Sequence, residues 1–234
     1  MPKTLDHTLL LSVPVIGMFW IAAFLLFPTY TPMPPTLSAA DVAAFYADAA
    51  NATRVQYAMI VFNWFEIGMV GLYATIALQM SRMSHGGGPL AWVYMAVTLG
   101  GACMFAAANC FWIVAAYRPD RAPEAIQLLN DLGWICFTVP TGFLIGQAVT
   151  LAFAVFLDDQ ADPVFRRWVG WLNGIAAILW VPAAFGALHL TGPLAWNGWL
   201  SFNLRIWTFA IYNAAMFVAV WNARQRLNDR EIVA

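Results

Sequence analysis

The apolar residues of this chain are gathered into six long blocks, and shorter polar segments separate them. A helix needs about 20 apolar residues to cross the hydrocarbon core of a bilayer, and each block is close to that length or longer. The predicted spans cover residues of about 9–27, 56–80, 89–117, 132–156, 168–190 and 198–222. We therefore predict an all-α fold, a polytopic transmembrane helical bundle of about six spans that forms one domain over residues 1–234.

The first loop after a span, residues 28–55, is the only long one, and it has two parts. Its opening, residues 28–35, is rich in proline, which a regular helix does not accommodate. Ser38 and Asp41 then match a capping box. Apolar side chains follow at helical spacing: Val42, Phe45, Tyr46 and Ala49. The pattern predicts a short amphipathic helix on the outer surface, which either packs over the helix ends or acts as a lid.

Composition agrees with the membrane assignment and excludes some functions. The chain is 62% hydrophobic and 10% charged, whereas soluble domains average about 25% charged residues. A net charge of -1 offers no basic surface for nucleic acid. Cys103, Cys110 and Cys136 all lie in apolar blocks and form no CxxC pair, so no disulfide framework is predicted. Membrane lipids are the predicted surroundings.

Basic residues are distributed unequally between the two sides of the predicted bundle. One side holds Lys3, Arg82, Arg166, Arg167, Arg224, Arg226 and Arg230, and the other holds Arg54, Arg118 and Arg121. The more basic side of a membrane protein faces the cytoplasm. Both termini are therefore predicted to be cytoplasmic, and loop 28–55 is predicted to face outward.

Two ionisable residues lie within predicted spans, Glu66 in the second and Arg205 in the sixth. Such residues are costly in a membrane, so they usually face the bundle interior and have a partner. Helical rise places their predicted depths within about 5 Å of each other, which allows an ion pair if the two helices are neighbours. That pair is either structural or part of a functional site.

Other polar and aromatic residues occur at similar depth on five of the predicted helices. Pro140 and Pro182 are expected to kink their helices and widen the space between them. We predict a cavity in the outer half of the membrane, with apolar aromatic walls and a few polar groups. The candidate ligand-binding residues are Asn63, Trp64, Glu66, Tyr73, Asn109, Trp112, Thr138, Thr141, His189, Arg205, Trp207, Thr208 and Tyr212.

Metal and cofactor chemistry have little support in this sequence. It contains three histidines, His7, His85 and His189, and the first two are predicted on the side opposite the third. A haem held by two intramembrane histidines or a multi-histidine metal site is therefore not predicted. No Walker loop, dinucleotide fingerprint or nucleophile elbow is present. We predict no cofactor and no metal.

Two resemblances to known families add expectations. The segments Phe156-Leu-Asp-Asp, Val164-Phe-Arg-Arg-Trp-Val-Gly-Trp-Leu and Thr191-Gly-Pro-Leu-Ala-Trp-Asn-Gly resemble an uncharacterised family of bacterial multi-pass inner-membrane proteins. That resemblance implies a bacterial inner membrane and a six-span plan, and it implies no activity. Phe65-Glu66 on the second span is similar to the acid motif of integral-membrane terpene cyclases, which would make Glu66 catalytic. Where those cyclases use an acid on the last span, this chain has Asn213.

Three functions are compatible with these patterns. The first is binding or moving a small hydrophobic or amphipathic molecule in the outer-half cavity. The second is an intramembrane enzyme, an isomerase or a terpene-cyclase-like protein, that uses Glu66 as acid or base. The third is an accessory subunit of a larger membrane complex, and a homo-oligomer is also open. The sequence favours the first.

Overall fold

The computed structural model describes residues 3–27, 32–85 and 88–233, and it places side chains for 13–23, 25–27, 32–66, 68–85 and 88–226 of these. These residues form eight α-helices and no β-strand. The helices are α1 (Lys3–Leu26), α2 (Ala39–Ala47), α3 (Ala49–Met80), α4 (Gly88–Tyr117), α5 (Pro123–Thr138), α6 (Gly142–Leu157), α7 (Arg167–Trp180) and α8 (Leu204–Val233). A 3₁₀ turn at Val181–Phe185 follows α7, and a π-helical turn at Trp199–Asn203 precedes α8.

Five helical segments of the described chain are long and apolar enough to cross a membrane. They are Ala49–Met80, Gly88–Tyr117, Pro123–Leu157, Arg167–Phe185 and Trp199–Arg226. Helix α1 adds a shorter apolar stretch, Val13–Ala23. The protein is thus a multi-pass helical membrane protein, and the predicted all-α bundle of about six spans is confirmed.

Proline accounts for the differences between the predicted and the observed helices in the fourth and fifth spans. The fourth span is two helices, because Pro140 lies between α5 and α6, where it has no N–H for the helical ladder. Helix α5 begins at Pro123, a position that proline favours. Helix α7 ends at Trp180, just before Pro182, so the fifth span is shorter than the predicted 168–190.

The long helices form a ring around a shared interior. Along the ring, α3 packs on α4, α4 on α6, α6 on α7 and α7 on α8. A narrower contact between α8 and α3 closes the ring. Helix α1 lies outside it against α3, and α5 lies against α4. Polar side chains that face inward from these helices can therefore meet without contacting lipid.

The predicted helix in loop 28–55 is α2, and it packs on the end of the bundle. Ser38 caps it, since the hydroxyl oxygen accepts a hydrogen bond from the N–H of Asp41 at 3.2 Å. Tyr46 is buried against α5, where its hydroxyl donates to Asn130 Oδ1 at 3.1 Å. Burial, with a smaller contribution from the charge of Asp131, raises the pKa of Tyr46, which keeps the phenol protonated as a donor.

The rest of that loop is also anchored. Trp196, in the loop before α8, donates its indole N–H to the carbonyl oxygen of Met33 at 2.8 Å. Residues 32–38 are non-helical, as the prolines predict, and residues 28–31 of the predicted proline-rich opening lie outside the described residues. These contacts favour the packing role of α2. We call this end of the molecule the α2 end, and the charge distribution predicts that it faces outward.

Candidate functional site

A cluster of three polar side chains joins α3 to α4. Asn63 and Glu66 are three residues apart on α3, so they lie on one face of that helix. Asn109 of α4 is fully buried, and its amide group donates to Asn63 Oδ1 at 2.8 Å and to Glu66 Oε1 at 3.1 Å. The hydrogen bond to Asn63 fixes the Asn109 amide group, and the same amide group donates to Glu66. The Glu66 carboxyl group is therefore held in a defined position.

Glu66 lines a partly open cavity of about 50 Å³, which we call the Glu66 cavity. Its walls come from α3, α4, α6 and α8, and they are mostly apolar. Its polar lining residues are Glu66, Tyr73, Thr98 and Gln147. The apolar lining residues are Phe65, Met69, Val70, Val97, Gly101, Ala102, Phe105, Phe143, Leu144 and Phe209. A cavity with this lining suits a mainly apolar ligand that has one hydrogen-bonding group.

A layer of hydrogen-bonded side chains lies deeper in the bundle, farther from the α2 end than Glu66. The bonds run from the Tyr73 hydroxyl to Asn213 Oδ1, from the Gln147 amide to the Tyr94 hydroxyl, and from the Tyr212 hydroxyl to Asn173 Oδ1, each at 2.9 Å. Every bond joins two different helices. The bonds of this layer tie α3 to α8 and α8 to α7, and a separate bond ties α4 to α6. Tyr73 and Gln147 belong to the layer and also line the Glu66 cavity.

Arg205 does not pair with Glu66, so the predicted ion pair is wrong. Asn109 supplies the partner of Glu66, whereas Arg205 lies at the start of α8 with its guanidinium carbon 4.4 Å from the centre of the Phe137 ring. The Arg205 side chain is 2% exposed, and neither Nε nor Nη2 has a hydrogen-bond partner among the described residues. The structure thus places a buried cation on an aromatic ring, and no described residue supplies a counter-charge.

A second cavity, of about 10 Å³, lies beside Arg205, and we call it the Arg205 cavity. Thr141 and Pro140, at the junction of α5 and α6, line it. It shares part of its wall with the Glu66 cavity, namely Gly101, Phe105, Phe143 and Leu144. The remaining lining residues are Met104, Cys136 and Phe137. The two cavities are therefore neighbours across one layer of side chains.

Aromatic rings fill the α2 end of the bundle above these cavities. Trp112 of α4 is buried and meets Trp134 of α5, with ring centres 4.7 Å apart, and Phe137 at 5.6 Å. Thr138 is buried beside this cluster, and its hydroxyl group has no partner among the described residues. Trp112 and Thr138 thus belong to the packed core around the site, and neither lines the Glu66 cavity or the Arg205 cavity.

Four other predicted residues also lie away from the cavities. Trp64 and Trp207 are 56% and 66% exposed on the outside of the bundle, and Trp64 packs on Phe19 of α1. His189 is exposed in the loop after α7. Thr208 is buried on α8 but lines neither cavity. None of these four residues lines the Glu66 cavity or the Arg205 cavity.

Three residues of the site, Tyr94, Thr98 and Gln147, are absent from the candidates that the sequence suggests. All three are polar residues within apolar spans, and that is the signal by which they could be found. Phe143 offers no such signal, because an apolar residue in a span gives no indication of a cavity. Among the described residues, no group of three or more His, Cys, Asp or Glu side chains could hold a metal ion.

Comparisons with known proteins do not assign the chain to a family. No family model matches it, and neither a curated protein nor a solved structure matches it.

Proposed function

We propose that this protein binds a small, mainly apolar molecule in the Glu66 cavity. The proposal rests on one observation: an apolar cavity is lined by one carboxyl group that receives a single hydrogen bond. Asn109 donates to Oε1 of Glu66, and no other described residue donates to the carboxyl group. The second oxygen is available as an acceptor for a hydroxyl or amine group of a ligand.

The cavity volume limits what can bind. A space of about 50 Å³ holds several water-sized groups, whereas drug-sized ligands occupy pockets of about 300–1,000 Å³. The cavity is partly open, so a longer molecule can place one end beside Glu66 and extend outward between the helices. The ligand is therefore either very small or bound by its end.

The polar layer below the cavity favours binding over passage through the membrane. Tyr73 and Gln147 line the cavity, and each is engaged in a hydrogen bond to another helix. Opening a path toward the opposite side would break these bonds within apolar surroundings, where unpaired polar groups are costly. A ligand that enters from the α2 end or from the lipid therefore stops at this layer.

Native mass spectrometry with lipid and small-molecule analysis tests the proposal on three purified proteins. These are the wild type, Glu66→Gln and the control Glu124→Gln, whose exposed carboxyl group lies in the first turn of α5. Glutamine keeps an acceptor for Asn109, so Glu66→Gln retains the α3–α4 contact but loses the acid. We expect a small molecule that copurifies with the wild type and with Glu124→Gln and is depleted in Glu66→Gln.

The same experiment separates the other candidate functions. The position of the Glu66 carboxyl group at the cavity also suits an acid or base of an isomerase or cyclase-like enzyme. In that case Glu66→Gln would hold a different molecule, the unconverted substrate, instead of losing its ligand. If neither the wild type nor Glu66→Gln holds a small molecule and a partner protein copurifies with both, the binding proposal is wrong. The role of an accessory subunit is then favoured.

A further inference from the structure

Arg205 presents an energetic problem that its described neighbours do not solve. Its side chain is 2% exposed, and it lies inside a segment long and apolar enough to span a membrane. Stacking on Phe137 contacts one face of the guanidinium group. The edge of that group carries the N–H donors, and Nε and Nη2 have no acceptor among the described residues. A buried cation without an anionic partner is strongly unfavourable.

A further unpaired donor belongs to a residue that lines the Arg205 cavity. Thr141 precedes α6, lines the Arg205 cavity and has a buried hydroxyl group with no partner in the described part of the chain. That side chain does not cap α6, so the first N–H groups of the helix have no acceptor from it. Phe143 and Leu144, in the first turn of α6, also line the cavity. A helix of this length presents a partial positive charge at that end.

The lining of the Arg205 cavity, as far as the chain is described, contains no acidic residue. Glu66, the acid that the sequence suggests as a partner, is hydrogen-bonded to Asn109 instead. The cavity volume of about 10 Å³ corresponds to roughly one water molecule. The space therefore suits a single-atom ligand, and its surroundings supply donors and positive charge.

We propose that Arg205, the Thr141 hydroxyl group and the amino end of α6 bind one small monovalent anion of the size of chloride. One negative charge neutralises the guanidinium group, and the anion accepts hydrogen bonds from the donors that otherwise lack partners. This anion site is distinct from the Glu66 carboxyl group and does not depend on the proposed ligand. The anion site and the Glu66 cavity share Phe143 and Leu144 as lining residues.

Thermal unfolding of the full chain in a non-ionic detergent tests the site. Chloride is titrated against gluconate at constant ionic strength, so that general screening does not change. We expect chloride and bromide to raise the unfolding temperature of the wild type by about 5 °C or more at saturation. Arg205→Gln removes the cation and should abolish the dependence. Arg118→Gln, an exposed arginine outside the site, should behave like the wild type.

Thr141→Val gives a second test that does not require a stable Arg205 variant. Valine keeps the shape and removes the hydroxyl donor, so apparent chloride affinity should fall about ten-fold. A wild type whose unfolding temperature is the same in chloride and gluconate would overturn the proposal, as would a chloride effect that Arg205→Gln retains. Octanoate, acetate and octanol are titrated in separate unfolding experiments. If octanoate alone stabilises the wild type, and Arg205→Gln loses this effect, the group that binds Arg205 is the carboxylate of an amphipathic ligand. That result would refute the proposal of a free anion.

Discussion

Replacing Asn109 by leucine tests whether the polar cluster between α3 and α4 holds the site together. Leucine has a similar size but removes the amide group that donates to Asn63 and to Glu66. In water-soluble proteins, a neutral hydrogen bond contributes about 1 kcal/mol and one to a charged group about 2 kcal/mol. The substitution also removes the buried, unpaired Asn109 Oδ1, which offsets part of this loss.

The expected net cost of Asn109→Leu is about 2 kcal/mol, because each lost bond also leaves an acceptor on α3 without its donor. For a chain of this size, that corresponds to a fall of about 4–8 °C in unfolding temperature. The assay is intrinsic tryptophan fluorescence of detergent-solubilised protein during heating. The control is Asn222→Leu, which makes the same replacement on the exposed face of α8 and should leave the unfolding temperature nearly unchanged.

A double-mutant cycle between Asn109→Leu and Asn63→Leu isolates one of the two bonds. The 2.8 Å distance between Asn109 Nδ2 and Asn63 Oδ1 predicts a coupling energy of about 1 kcal/mol. A coupling indistinguishable from zero, together with an unchanged unfolding temperature in Asn109→Leu, would refute the role assigned to the cluster. The position of Glu66 would then have to depend on other contacts.

Two further predictions concern packing near the site. Gly133→Ala in α5 would place a methyl group inside van der Waals contact with the Trp112 indole, so it should cost about 2 kcal/mol, whereas Gly174→Ala, with open space around it, should not destabilise the protein. Tyr46→Phe leaves Asn130 Oδ1 without its donor and should cost about 1 kcal/mol and speed proteolysis near α2. Unfolding temperature measures the changes in stability, and limited digestion with chymotrypsin, which cleaves after aromatic residues such as Phe45, measures proteolysis at α2. Equal stability of Gly133→Ala and Gly174→Ala would show that the Gly133–Trp112 contact does not constrain the packing.

The α3–α4 cluster shows how far sequence reasoning reaches into the site. The spacing of Asn63 and Glu66 predicts that they share one helical face, and Asn109 is predicted at a similar depth on the next span. Depth and face follow from helical geometry, so these three residues can be grouped without knowledge of the tertiary structure. Arg205 satisfies the same criteria of depth and face, and yet it lies beside Phe137.

The tryptophans show the limit of the same approach. Trp64 and Trp112 are both deep in apolar spans, but Trp64 is exposed beside α1 and Trp112 is buried between α4 and α5. A span that is apolar on all sides has no polar stripe to show which face meets lipid. For such helices, rotation about the axis is set by contacts with neighbouring helices and cannot be read from periodicity.

The class of fold and the approximate number of long helices follow from the sequence, because the thickness of the bilayer demands apolar segments of a certain length. The disruption at Pro140 follows as well, since proline lacks the backbone donor that a helix requires. Which polar groups meet depends instead on the tertiary structure. The ring order of the helices brings Asn109 to Glu66 and leaves Arg205 beside Thr141, and that order arises from side-chain packing between segments distant in the chain.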